Sequence, residues 1–128
     1  MNGCNGRMGQ VITGLVKQDE TVEIVAGIDQ YDGIKNDYPV YASIEDCEVE
    51  ADAVIDFSNA AAVDDLLEAC EKKGLPVVLC TTGLSEEQIA KVKKTSEKVQ
   101  LTAQKSFNYN SDYTRNNNVF AVGLDINF

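Results

Sequence analysis

Hydrophobic positions along this chain change their period several times, and each change marks an expected element. Between residues 7 and 18, Met8, Val11, Ile12, Leu15 and Val16 recur at the spacing of one helical face, which predicts an amphipathic helix starting inside a glycine-containing stretch. Residues 22–28 (VEIVAGI) form a short β-rich run, and the YDGIKNDYP that follows Gln30 carries turn formers without period, so a strand leads into a surface loop. A brief strand is expected at 39–41, and a short, irregular, solvent-facing helix at 43–50. Residues 53–57 (AVIDF) and 76–80 (PVVLC) are continuous apolar runs of strand length. Between them, Ser58 and Asn59 offer an N-cap to a helix with the inner face Val63, Leu66, Leu67 and Cys70, ended by Gly74. Ser85 and Gln88 have the spacing of a capping box for a further helix, whose core face is Ile89 and Val92 with Thr95 and Ser96 beside them. Residues 99–103 (VQLTA) close the series as a strand.

Strands that alternate with helices and read as apolar runs belong to a parallel sheet covered on both faces. The expected fold is therefore α/β, a doubly wound parallel sheet. After Gln104 the pattern changes to the polar KSFNYNSDYTRNNN, and NVFAVGLDINF then resumes a β-type run. In a doubly wound sheet the strand before the first loop is central, yet only Met1 and Asn2 precede Gly3. The run 119–128 is expected to fill that slot, either from its own chain or from a second molecule in a strand-swapped homodimer.

Charge and cysteine content narrow the partners. Eleven basic against 21 acidic residues leave a net charge of -10, which repels nucleic acid and anionic membrane surfaces, so neither is expected as a partner. The four cysteines have no CxxC spacing and the chain has no histidine, so no metal site is expected and the thiols read as reduced. No apolar run approaches the ~20 residues of a membrane span, and no signal-peptide pattern opens the chain, which points to the cytoplasm.

Candidate chemistry is concentrated in GCNGRMG, where Gly3, Gly6 and Gly9 stand directly before the first helix. In a phosphate-binding loop of this kind, the first glycine permits the tight turn, the second lets backbone approach a diphosphate, and the third lets the helix pack closely. The helix N-terminus then attracts the anion, with Arg7 as an adjacent cation. Three glycines alone fit a turn cluster equally well. Asp29 shifts the balance, because it ends the next strand 20 residues beyond Gly9, where a carboxylate can accept from both hydroxyls of an adenosine ribose. With Gln30 next to it and no arginine, NAD(H) is expected in preference to NADP(H). A second set lies at the carboxyl ends of later strands: Phe57 as an apolar wall, Cys80, Thr81 and Thr82 near a nicotinamide amide or ribose, and Ser106, Phe107 and Asn108 beyond the last strand. Helix capping is the alternative role of the Thr and Ser residues. Asp56 sits inside an apolar run, where a structural hydrogen bond is favoured over a role as base.

With these residues assembled, the chain resembles the cofactor-binding domain of the dihydrodipicolinate reductase family. The resemblance is carried by GCNGRMG, VAGID, AVIDFS, PVVLCTTGLSEEQ and, more loosely, KSFNYN, from Gly3 to about Asn110. It implies a Rossmann-like domain of an NAD(P)H-dependent oxidoreductase of lysine and diaminopimelate biosynthesis. It also implies that Gly3, Cys4, Asn5, Gly6, Arg7, Met8 and Asp29 bind the dinucleotide. Cys80, Thr81 and Thr82, with Cys80 where the family has Gly, and Ser106, Phe107, Asn108 and Tyr109 would contact its nicotinamide half. The expected division is a dinucleotide-binding domain over 1–110 and a C-terminal remnant over 111–128 that forms a strand completing the sheet; within the remnant VFAVG resembles a stretch near the family's C-terminus, which implies an internal deletion. The family's paired-histidine and lysine motif and its SGT motif are missing, and Lys105 reads as solvated, so no catalytic residue is assigned. The substrate domain is thus expected to be absent and the isolated chain to bind cofactor without turnover. The alternative is a non-enzymatic interaction or regulatory module that kept the fold.

Overall fold

A computed structural model describes residues 1–99 and 120–122, with side chains described as far as residue 96. The elements in chain order are α1 (Arg7–Val16), β1 (Gly27–Ile28), β2 (Val40–Tyr41), β3 (Val54–Asp56), a 3-10 turn (Ala60–Ala62), α2 (Val63–Lys73), β4 (Val77–Leu79), α3 (Glu86–Val99) and β5 (Phe120–Val122). β1 pairs parallel with β2, and β3 parallel with β4. Asn2 stands between these pairs and bridges Ile28 on one side and Asp56 on the other, both in parallel sense. The sheet therefore runs β2, β1, Asn2, β3, β4, β5, a Rossmann-like α/β arrangement with an antiparallel strand on one edge.

The slot before the glycine loop corrects one expectation. Met1 and Asn2 occupy it: Ile28 N–H donates to the Met1 carbonyl (2.9 Å), Asn2 N–H to the Ile55 carbonyl (2.9 Å) and Phe57 N–H to the Asn2 carbonyl (3.0 Å). The described part of the run 119–128 is β5, which lies antiparallel to β4 with Val122 opposite Val77 and Phe120 opposite Leu79, within its own chain. Residues adjacent to the turn reach the central slot with almost no loop to close, while the outer side of β4 offers an open row of backbone groups to a distant segment.

β1 covers only Gly27–Ile28 of the run 22–28, and its neighbours pair with it there. On one side the pairing reaches Met1, whose ammonium donates to the Ala26 carbonyl (2.8 Å). On the other, β2 is preceded by Pro39, which has no N–H to give. The expected helix at 43–50 is a series of bends. Ser43 Oγ donates to Asp46 Oδ2 (2.7 Å) and accepts Asp46 N–H (3.3 Å), a local turn that competes with helix in a segment too short to nucleate one. Nor is the segment wholly solvent-facing, since Cys47 is buried and Ile44 packs on both apolar clusters. α3 continues through Val99, where a strand was expected, and residues 100–103 lie outside the described residues.

The middle of the chain follows its pattern closely. Apolar runs 53–57 and 76–80 contain β3 and β4, and α2 buries Val63, Leu66, Leu67 and Cys70 before Gly74 ends it in the left-handed region (φ 65°). Asn59 caps the 3-10 turn through Ala61 N–H (3.0 Å). The capping box forms, with Gln88 N–H donating to Ser85 Oγ (3.1 Å) and Ser85 N–H to Gln88 Oε1 (3.0 Å). These helices and strands enclose the main cluster, centred on Val54, Val63, Leu66, Leu67, Val77, Leu79 and Val92. A smaller cluster of Ala26, Ile28 and Cys47 lies by β1 and β2.

α1 turns a different row inward from the apolar one. Gly9 and Thr13 are buried, while Met8, Val11 and Leu15 are 44%, 49% and 59% exposed. Contact through a glycine brings the helix axis close, and Thr13 fixes the rotation by bonding the Tyr38 hydroxyl (2.8 Å). Leu79→Ala is expected to cost about 2–5 kcal/mol of unfolding free energy in urea denaturation, whereas Val11→Ala stays within about 0.5 kcal/mol. Equal losses would place the core elsewhere.

Candidate functional site

The carboxyl ends of β1, β3, β4 and the Asn2 segment meet at one edge of the sheet, and the glycine loop crosses it. Gly3 has φ 72°, and a Cβ there would lie 2.6 Å from the Phe57 carbonyl oxygen. Gly9 is tighter: a Cβ would meet the Gly3 oxygen at 2.2 Å and the Cys4 oxygen at 2.5 Å, so α1 rests directly on loop backbone. Gly6 differs, since its nearest neighbour in the Cβ direction is the Gly3 oxygen at 3.3 Å. The fold needs Gly3 and Gly9 as glycines, whereas a Cβ at Gly6 would press on a single backbone oxygen, which a shift of a few tenths of an ångström would relieve.

Gly6 is also the N-cap of α1, without a side-chain capping bond and with no acidic residue in the first turn. The N–H groups of that turn and the positive end of the helix dipole are left for an external anion. Arg7 and Met8 are exposed beside them.

The twenty-residue spacing from Gly9 to Asp29 is realised as contact. Asn5 N–H donates to Asp29 Oδ2 (2.9 Å), and Tyr31 N–H donates to Oδ1 (3.0 Å). Each carboxylate oxygen keeps a lone pair for another donor. Neutral side chains brace the loop: Asn5 Nδ2 donates to the Tyr31 carbonyl, Asn36 Nδ2 to Asn5 Oδ1 (2.7 Å), and Gln10 Nε2 to both the Cys4 carbonyl (2.9 Å) and Asn36 Oδ1 (3.2 Å). Sequence reasoning missed Gln10 and Asn36, because a neutral amide, on the polar side of a helix or in an aperiodic loop, carries no spacing signal. Cys4 is buried, and burial first, then the Asp29 charge, push its thiol upward, so it packs as a neutral group. Gln30 is exposed just past Asp29.

Across the seam, Phe57 and Cys80 are half-buried, Thr82 is exposed and Thr81 is buried. The Thr81 hydroxyl does not point outward as expected. It donates to Asp56 Oδ2 (2.6 Å), while Asp56 Oδ1 accepts from Asn2 Nδ2 (2.7 Å) and Ser58 N–H (3.2 Å). Asp56 is fully buried, with its lone pairs directed at three donors. Burial and then the Asp56 charge also raise the Cys80 thiol, which stays protonated at neutral pH. Ser58 Oγ is the one buried side-chain polar atom without a partner among the described residues, and Ser58 N lies 3.0 Å from the Cβ position of Gly3. The sequence marked Ser58 as an N-cap candidate together with Asn59, and the capping bond is made by Asn59. Ser106, Phe107, Asn108 and Tyr109, with Lys105, lie outside the described residues. Among the described residues, no cluster of His, Cys, Asp or Glu suits a metal ion, and no helix is long and apolar enough to cross a membrane.

Residues 1–108 match the protein family described as "Dihydrodipicolinate reductase, N-terminus". The 4-hydroxy-tetrahydrodipicolinate reductase of Clostridium tetani is 41% identical over 99 residues, covering 77% of this chain and 39% of that protein. The enzyme of the same name from Clostridium novyi is 44% identical over 101 residues, covering 79% of this chain and 40% of that protein. That of Caldanaerobacter subterraneus subsp. tengcongensis is 41% identical over 101 residues, with the same coverage of 79% and 40%. The chain spans about two fifths of the length of these curated relatives.

Gly9→Ala is expected to lose about 1–3 kcal/mol or to unfold the chain, while Gly6→Ala stays within about 1 kcal/mol of the parent in thermal or urea denaturation. Similar losses at both positions would show that Gly6 is also required by the fold itself.

Proposed function

The chain belongs to the dihydrodipicolinate reductase N-terminal family, and from that premise we propose that it is the cofactor-holding part of a cytoplasmic, NAD(P)H-dependent 4-hydroxy-tetrahydrodipicolinate reductase of lysine and diaminopimelate biosynthesis. The observation that carries the reading is the hydrogen bond from Asn5 N–H to Asp29, which sets a carboxylate against a glycine loop at an uncapped helix end. A dinucleotide fits these residues. Gly6, exposed and without a side chain, lets a diphosphate approach the loop backbone, the free amides of the first turn complement its charge, and the unpartnered Ser58 hydroxyl offers a further donor.

In this reading the loop of Gly3, Cys4, Asn5, Gly6, Arg7 and Met8 holds the diphosphate. Asp29 accepts from the adenosine ribose hydroxyls, and Gln30 lies at the rim. Phe57, Ser58, Cys80, Thr81 and Thr82 border the nicotinamide, and the family resemblance adds Ser106, Phe107, Asn108 and Tyr109. A bound nicotinamide supplies hydride chemistry; the part of this chain is to bind and orient it. Because Asp29 repels a 2′-phosphate, NAD(H) is the preferred form. The paired-histidine and SGT motifs of the family resemblance are not in these 128 residues, so in this reading proton donation and contacts to substrate carboxylates come from outside them, and the chain alone binds without turnover.

Calorimetric titration is expected to give saturable NADH binding that is tighter than NADPH binding. Asp29→Ala should weaken NADH about tenfold, as expected for losing hydrogen bonds to a charged acceptor, and should narrow the difference from NADPH. Tighter binding of NADPH by the parent chain would overturn the cofactor preference. A folded chain that binds neither dinucleotide would support a non-enzymatic module instead.

A further inference from the structure

We propose that Asp56 is a positioning residue that keeps the diphosphate-holding half of the site in register with the nicotinamide-holding half; this deepens the dinucleotide reading and rests on it. The starting observation is an oddity of composition. Asp56 lies in the apolar run AVIDF, is 0% exposed, and has no cation among its hydrogen-bond partners. A carboxylate in such a place is unfavourable unless its acceptors are filled, and an aliphatic residue would suit the strand better.

What it gains is the origin of its donors. Asn2 immediately precedes the glycine loop, Ser58 follows β3, and Thr81 follows β4. They come from the ends of three adjacent strands and converge on one group within 2.6–3.2 Å. The backbone ladder already fixes the strands relative to one another, but it leaves side-chain and loop rotation beyond the strand ends free. Asp56 removes that freedom on both sides of the seam at once. A ligand that touches only the glycine loop and Asp29 is indifferent to this coupling. One that spans the seam depends on it.

The test compares NADH, which spans both halves, with ADP-ribose, which lacks the nicotinamide, by calorimetry on the full 128-residue chain. In Asp56→Ala, NADH affinity is expected to fall about tenfold, while ADP-ribose affinity changes by less than about twofold. Asp56→Asn should recover most of the loss, because its oxygen can accept from Asn2 and Ser58 and its amide can donate to Thr81 Oγ. Should Asp56→Ala fail to fold, Asn2→Ala cuts the tie on the glycine-loop side alone, without altering a ligand contact, and is expected to lower the NADH to ADP-ribose affinity ratio in the same sense. A parallel loss of both ligands in Asp56→Ala, or an unchanged ratio in Asn2→Ala, overturns the proposal. A parent chain that binds ADP-ribose and NADH equally well leaves the dinucleotide loop intact and refutes the spanning site, whereas one that binds neither refutes the dinucleotide reading itself.

Discussion

Met1 and Asn2 join the two halves of the sheet. Met1 faces β1 with its amine and carbonyl, and Asn2 faces β3 with its N–H and carbonyl, the alternation of a parallel strand between two neighbours. Among the described residues, that pairing is what connects the backbone of β1 and β2, with Asp29 following β1, to β3 and β4. Gly3 follows at once, and its left-handed turn is pressed against the Phe57 carbonyl, so the ladder ends where the loop begins. Gly9 then seats α1 on the same loop. Nine residues thus set the sheet's continuity, the position of a helix end and the distance from that end to both neighbouring strands.

Stability and site geometry draw on different interactions. Burial between α2, α3, β3 and β4 supplies the apolar core, and the ion pairs Lys17 with Asp37, Lys72 with Glu68 and Lys91 with Asp64 lie on exposed surface, where such pairs contribute little. The glycine loop, by contrast, is held by neutral amides from Asn5, Gln10 and Asn36 and by one carboxylate. With neutral braces and no acidic residue in the first turn of α1, the positive potential of the helix end is opposed only by the Asp29 carboxylate among these groups.

The parts of this arrangement that were legible in sequence are those governed by local rules. The capping box at Ser85 and Gln88, the Gly74 stop, the inner face of α2 and the apolar runs of β3 and β4 depend on residues within a few positions of one another. The meeting of the glycine loop with Asp29 spans a single strand, and a spacing of that length is readable along the chain. What failed depended on remote partners. β1 pairs with β2 over two residues, the inward row of α1 is chosen by Gly9 and Tyr38, and β5 takes the edge of β4 in place of the central slot. The donors of Asp56 come from positions 54 and 25 residues away, and no window of sequence brings Asn2 and Thr81 together.

The two carboxylates at the sheet edge illustrate how placement decides chemistry. Asp29 and Asp56 each end a short parallel strand segment, and each accepts a backbone N–H two residues on, from Tyr31 and Ser58. Beyond that the surroundings diverge. Asp29 is half-buried and takes one further amide, from Asn5, so it retains acceptor capacity on its outer side. Asp56 is sealed from solvent and takes Asn2 and Thr81 as well. A carboxylate sealed from solvent and met by donors from three neighbouring segments ties those segments together, whereas the one at the rim keeps acceptor capacity toward the outside. The difference follows from the sheet itself: β1 lies next to the short β2 near the edge, while β3 lies between Asn2 and β4, where donors approach from both sides.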